Sequence, residues 1–172
     1  MSETVSRLSN HPSITLWVLF NESWGQFDAG LATQRCWELD PTRPVLSVSG
    51  WYDQGTGDVH GVHNYFRGMH MFADPFTGQK ARRHPRIGRA QVSSEFGGLT
   101  WREDEHSSLS RSYGYAEFET KDAWDTGVQE LLASADALEE HGLSGFVYTQ
   151  LSDVEEETNG LVTYDRKVRK LS

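Results

Sequence analysis

The chain has 172 residues and a formal net charge of −9, with 25 Asp and Glu against 16 Lys and Arg. That length supports one domain with a sizeable core, and the acidic balance argues against a nucleic-acid backbone or an anionic membrane surface as partner. No apolar run approaches the roughly 18 residues of a membrane-crossing helix, and the single cysteine, Cys36, excludes an intramolecular disulfide.

The N-terminal stretch "MSETVSRLSN" lacks the apolar centre of a secretory leader, which together with the lone cysteine favours a cytoplasmic setting. The first predicted element is "ITLWVLF" (14–20), nearly all apolar, which reads as a strand buried on both faces. It runs straight into Asn21 and Glu22. A carboxylate at the mouth of a buried strand is costly unless chemistry requires it, although an Asn-Glu pair also opens many solvated loops. Trp17 is expected in the core. Next, Leu31, Cys36, Trp37 and Leu39 give a short helix of modest amphipathicity, ended by "DPTRP", whose prolines cannot continue it.

"VLSVSGW" (45–51) is a second apolar run, and "DVHGVHNYF" (58–66) a third, interrupted by Gly61. From Arg67 to Gly88 there is no clear period, and a loop of that length is unusual unless it is functional. "RAQVSSEFGG" (89–98) is a fourth strand and carries a second carboxylate, Glu95. Residues 122–141 are helical, with Trp124, Val128, Leu131, Leu132, Ala135 and Leu138 on one face, expected to pack on the sheet. "GFVYTQL" (145–151) is the fifth strand, followed by the acidic loop "SDVEEETNG".

Short strands alternating with helices or long loops describe an α/β fold with a parallel sheet. Polar and aromatic residues gather past the strand ends, in "NESW", "SGWYD", "HNYF", "SEFGG" and "SDVEEE". In α/β barrels and open α/β sheets that edge binds ligands. Two carboxylates at parallel strand ends suit glycoside hydrolysis. One protonates the leaving oxygen, and the other attacks the anomeric carbon or activates water.

"NHPSITLWVLFNES" and "SSEFGG" together resemble the catalytic barrel of glycoside hydrolase family 2, the β-galactosidase, β-glucuronidase and β-mannosidase group. The resemblance covers about residues 7–168 and is strengthened by "GFVYTQLSDVEEETNGLVTYDRKV". It implies a retaining β-glycosidase with Glu22 as acid/base and Glu95 as nucleophile. It further implies that Asn21 bonds the sugar 2-hydroxyl and that Tyr65 stands close to the nucleophile. The fold expected is a (β/α) barrel segment resembling strands 4 to 8 of a TIM barrel, residues 1–172 forming one partial catalytic domain. Many members carry a Trp after strand eight; here the stretch reads Tyr148-Thr149-Gln150.

Barrels of this class need about 250 residues, so the open sheet is expected to expose edges and to self-associate through that of the 14–20 strand. The expected partner is a carbohydrate. His63 suits a sugar-hydroxyl contact or a structural role, and Trp51 and Trp24 suit stacking on a sugar face or packing. His60 and His63 have no third ligand in view, so no metal or cofactor is expected. Glu155 to Glu157 read as a solvated loop, and His11 as fixing a turn. The alternative to an enzyme is a catalytically incomplete half-barrel that binds carbohydrate or associates with another chain.

Overall fold

The computed structural model describes residues 1–22, 25–65 and 88–172. Trp24 and, apart from Gly88, the long 67–88 loop lie outside them. In chain order the elements are α1 (Ser2–Leu8), β1 (Trp17–Phe20), α2 (Ala29–Leu39), β2 (Val45–Val48), β3 (Val59–Asn64), β4 (Ala90–Gly97), β5 (Leu99–Thr100), β6 (Ala116–Glu117), α3 (Lys121–Glu139) and β7 (Leu143–Thr149). Five strands form one parallel sheet in the order β1-β2-β3-β4-β7. Trp17 lies opposite Val45, and Leu46 opposite Val59. The fold is α/β, in keeping with part of a TIM barrel. No helix among the described residues is long and apolar enough to cross a membrane.

The chain divides into two compact units. One holds the described residues of 1–63, 88–94 and 143–145; the other holds 64–65, 95–142 and 146–172. In the first unit β2 is buried along its whole length. Its one polar member, Ser47, accepts a bond from the Thr33 hydroxyl on α2 at 2.9 Å. Val5, Trp17, Cys36 and Val45 form the core, with Ile14, Leu19 and Leu39 packed against it. Arg43 ties the approach to β1 together. Its guanidinium donates to the carbonyls of Ser9 (2.8 Å) and Ile14 (2.6 Å) and pairs with Asp40 at 2.7 Å. Asp40 also accepts from the indole of Trp17 at 2.9 Å. Gly61 is needed in β3 because a Cβ there would lie 2.7 Å from Ser94 Oγ and 3.0 Å from Leu46 Cδ1.

Two expectations are corrected in this unit. β1 is not buried on both faces: Trp17 and Leu19 meet the core, while Val18, pointing the other way, is 51% exposed. Among the described residues β1 ends the sheet, with no strand paired on its outer side. It borders an open groove of about 640 Å³ lined by Met1, Val5, Val18, Phe20, Phe27 and Leu31. The buried face of α2 is likewise Ala29, Thr33 and Cys36, while Leu31 is 67% exposed and Trp37 bonds Asp58. Small residues let the helix approach β2 closely, so they outcompete the larger ones for the inner face.

In the second unit, Thr120 caps α3 by accepting from the Ala123 amide. Trp124, Val128 and Ala135 are buried, and Leu131, Leu132 and Leu138 half-buried. The Trp124 indole donates to the Leu99 carbonyl of β5 at 2.9 Å. Behind it Lys170 is fully buried. Its ammonium meets Trp101 O (2.7 Å), Asp153 Oδ1 (2.8 Å) and Thr158 O (3.0 Å), so all three of its donors are used. The acidic loop is therefore only partly solvated. Glu155 is exposed, but Asp153, Thr158 and Asn159 are buried, and Glu157 accepts from Gln150 at 3.0 Å.

Candidate active site

In the first unit, β1, β2 and β3 run parallel, so the residues after their C-terminal ends share one edge. Phe20 ends β1, Asn21 follows it exposed, and Glu22 is partly buried. Glu22 Oε2 lies 2.6 Å from Nδ1 of His63, near the end of β3. The other ring nitrogen, Nε2, is 2.8 Å from the hydroxyl of Ser49, just past β2, and Ser49 donates onward to Ser94 Oγ at 2.9 Å. His63 is 1% exposed, and both of its ring nitrogens have protein partners. Trp51 is half-buried, and its carbonyl accepts from Gln26 at 2.8 Å.

His60 stands apart from that cluster. Residues three apart on a strand point to opposite faces, and the His60 ring bonds Gln91 at 2.8 Å with Asp53 at 3.9 Å. The two histidines of β3 therefore serve separate networks.

In the second unit, Glu95 sits near the end of β4 and accepts from the Tyr65 hydroxyl at 2.5 Å. That hydroxyl also meets Thr149 Oγ1, at the end of β7, at 2.9 Å. Tyr115 stacks on Tyr65 with ring centroids 4.1 Å apart. Burial first, and the bond to Glu95 next, push the Tyr65 hydroxyl well above its ordinary pKa. It therefore stays protonated and acts toward Glu95 only as a donor.

Each carboxylate is thus held by a side chain from another strand end: Glu22 by the His63 imidazole and Glu95 by the Tyr65 hydroxyl, which orients it as a donor. Sequence reasoning picked out Glu22, Glu95, His63 and Tyr65 but passed over Ser49, Ser94, Tyr115 and Thr149. A signal existed for the serines. Both are polar insertions beside the ends of apolar strands, where an unpaired hydroxyl is costly.

Among solved structures, the chain is similar to Bacteroides uniformis beta-glucuronidase 2, with 17% identity, a TM-score of 0.59, and coverage of 96% of this chain and 24% of that one. It is similar to Bacteroides uniformis beta-glucuronidase at 18% identity and TM-score 0.58, with 96% and 24% covered. Parabacteroides merdae beta-glucuronidase matches at 16% identity and TM-score 0.53, with 98% and 26% covered. At these identities the likeness is one of fold, and the chain spans about a quarter of the length of those proteins. No curated protein matches it. The model of the glycosyl hydrolases family 2, TIM barrel domain, matches residues 1–170, taking in all five strands and both strand-end glutamates, and the chain belongs to that family.

Proposed function

We propose that residues 1–172 are the part of a retaining β-glycosidase that carries both catalytic carboxylates, equivalent to strands four to eight of a (β/α)8 barrel. Glu95 attacks the anomeric carbon and forms a covalent glycosyl-enzyme as the bond to the leaving oxygen breaks. Glu22 gives that oxygen a proton, then takes one from the water that releases the sugar. Asn21, exposed beside Glu22, bonds the 2-hydroxyl, and Trp51 offers a ring to the sugar face. The substrate class is a β-linked sugar.

The observation that carries this reading is that, in a chain of this family, each strand-end glutamate is held by a neighbouring side chain: Glu95 accepts from the Tyr65 hydroxyl, and Glu22 bonds the His63 imidazole. The related Bacteroides uniformis beta-glucuronidase 2 is covalently bound to cyclophellitol-6-carboxylate aziridine, which favours a covalent route and puts β-glucuronides first among sugars to try. That the chain spans a quarter of its relatives supports a second reading, a half-barrel that binds carbohydrate without turning it over.

The experiment is covalent trapping. The full-length gene product is exposed to 2-deoxy-2-fluoro glycosides of β-D-glucuronic acid, galactose, glucose and mannose, then digested and mapped by mass spectrometry. The expected result is one sugar adduct on Glu95, absent from Glu95→Gln. An adduct on another residue, or binding of a glycoside with neither adduct nor turnover, overturns the catalytic reading, and the latter favours the half-barrel.

A further inference from the structure

We propose that Tyr115 and Thr149 are positioning residues for Glu95: together they fix the Tyr65 side chain and, through its hydroxyl, the carboxylate that attacks the sugar. The inference rests on the reading of Glu95 as nucleophile and names what keeps it aimed.

Attack needs a carboxylate oxygen in line with the anomeric carbon, and a misplacement of about 1 Å can cost about 10²-fold in rate. The Tyr65 hydroxyl, 2.5 Å from Oε2, constrains how the Glu95 carboxyl is turned. Tyr65 follows the last residue of β3, Asn64, so the pairing of that strand does not fix its ring. Two contacts from other elements do. Thr149 Oγ1, at the end of β7, meets the hydroxyl at 2.9 Å and holds the tip of the side chain. The Tyr115 ring lies on that of Tyr65 with centroids 4.1 Å apart and planes 15° from parallel. A bond at the tip alone leaves the ring able to roll, because the hydroxyl oxygen lies on the axis of rotation. The phenolic hydrogen prefers the ring plane, so the roll sets where it points. The stack stops that roll.

Both holds are anchored to the segment that carries Glu95. Gly98, three residues after it, donates its N–H to the Thr149 carbonyl at 2.9 Å, and its own carbonyl accepts from the Tyr115 N–H at 3.0 Å. Its φ is +68°, and a Cβ there would collide with the Tyr115 ring and lie 3.2 Å from Tyr65 Cδ1. The second glycine of "SEFGG" therefore makes the space in which the two tyrosines stack. Tyr115 is followed at once by β6, whose Ala116 lies opposite Leu99 of β5, so its backbone is held on both sides. All of these residues belong to one compact unit.

Tyr115 has a second conceivable use, as a ring for the sugar to stack on. The structure favours positioning, because one face of the ring is covered by Tyr65 and Tyr113 stands against it in a T-shaped arrangement with centroids 6.1 Å apart.

The test is the rate of covalent trapping in the full-length gene product, since 2-deoxy-2-fluoro glycosides report the attack by Glu95 itself. The maximal trapping rate and the half-saturating concentration are measured with the glycoside that labels the parent. Tyr115→Leu and Thr149→Val should each lower the maximal rate about tenfold and leave the half-saturating concentration within about twofold. Tyr115→Phe, which keeps the flat ring, should restore the rate. Tyr65→Phe should itself be slower than the parent. On that background the same two substitutions should cost no more than about twofold further, since the hydroxyl they place is gone. Thr149→Val removes one hydroxyl at nearly constant volume and keeps the test open should Tyr115→Leu not fold.

Losses that multiply in full in the double variants overturn the proposal, because the residues then act independently of Tyr65. A rise in the half-saturating concentration alone also overturns it, making the side chain a sugar contact. If either variant forms the adduct on Glu95 at the parent rate, the positioning role falls alone. If the parent is labelled at another residue or not at all, the reading of Glu95 falls and takes this role with it.

Discussion

At single residues, the partner of a carboxylate decides what it can do, and three of them can be tested by changing one atom. Glu95→Gln should abolish turnover of every substrate. Glu22→Gln should spare the first step for dinitrophenyl glycosides while slowing methyl glycosides by about 10²–10⁴-fold. Azide should rescue the second step of Glu22→Gln and yield a glycosyl azide of retained configuration, read by NMR. The same product from the Glu95 variant would mean that the two roles are exchanged. Asp40 is a structural counterpart. The Thr42 hydroxyl first, then the Trp17 indole, hold its carboxyl well below the usual carboxylate range. A carboxyl depressed on folding stabilises fully above its unfolded pKa of about 3.9, and that contribution is lost as the pH falls toward the folded value. Asp40→Asn should therefore lower the urea midpoint at neutral pH, and its gap to the parent should narrow steadily as the pH falls below about 4. A gap that stays constant with pH would assign the effect to packing.

At the level of elements, existence and order were legible in the sequence and faces were not. Every strand of the main sheet and the two longer helices lie within a few residues of where apolar periodicity places them, because burial imposes that period. The α2 face was read in part: Cys36 and Leu39 meet the core as expected, but Leu31 and Trp37 point outward. Periodicity counts large apolar residues, and close helix–sheet packing also brings the small Ala29 and Thr33 inward. Gly61 weakened the reading of β3 for a similar reason: its value lies in the space it leaves for Ser94 and Leu46, which composition does not show. The inward and outward faces differ in their tolerance. Cys36→Leu overfills a closed site and should cost about 1–3 kcal/mol, whereas Leu31→Ala should stay within about 0.5 kcal/mol. On α3, Val128→Ala removes two buried methyl groups and should cost about 2 kcal/mol, from about 0.8 kcal/mol per group plus a cavity. Urea unfolding curves read all three. Near-equal effects for Cys36→Leu and Leu31→Ala would contradict the assigned face.

At the scale of the molecule, family membership and length pull in opposite directions, and β1 is where the tension falls. The match with the family runs over residues 1–170, yet the chain covers about a quarter of its structural relatives. Among the described residues β1 has a neighbour on one side only, and Val18 and Phe27, 51% and 72% exposed, line the groove beside it. The open edge was expected from the sequence because five strands do not close a barrel, although "ITLWVLF" itself reads as a strand buried on both faces. Unpaired strand backbone next to apolar side chains is a template for association. The 172-residue chain on its own should therefore self-associate through this edge and turn over glycosides weakly or not at all. Val18→Lys places a charge on the edge in the manner of natural edge strands. It should weaken association by at least about tenfold, equivalent to 1.4 kcal/mol, without lowering the urea midpoint, since Val18 is exposed. Sedimentation velocity over a concentration series reads the first quantity and urea unfolding the second. A parent chain that stays monomeric at every concentration would show that the edge is satisfied within the chain itself. An unchanged association constant in Val18→Lys would move the contact to another surface.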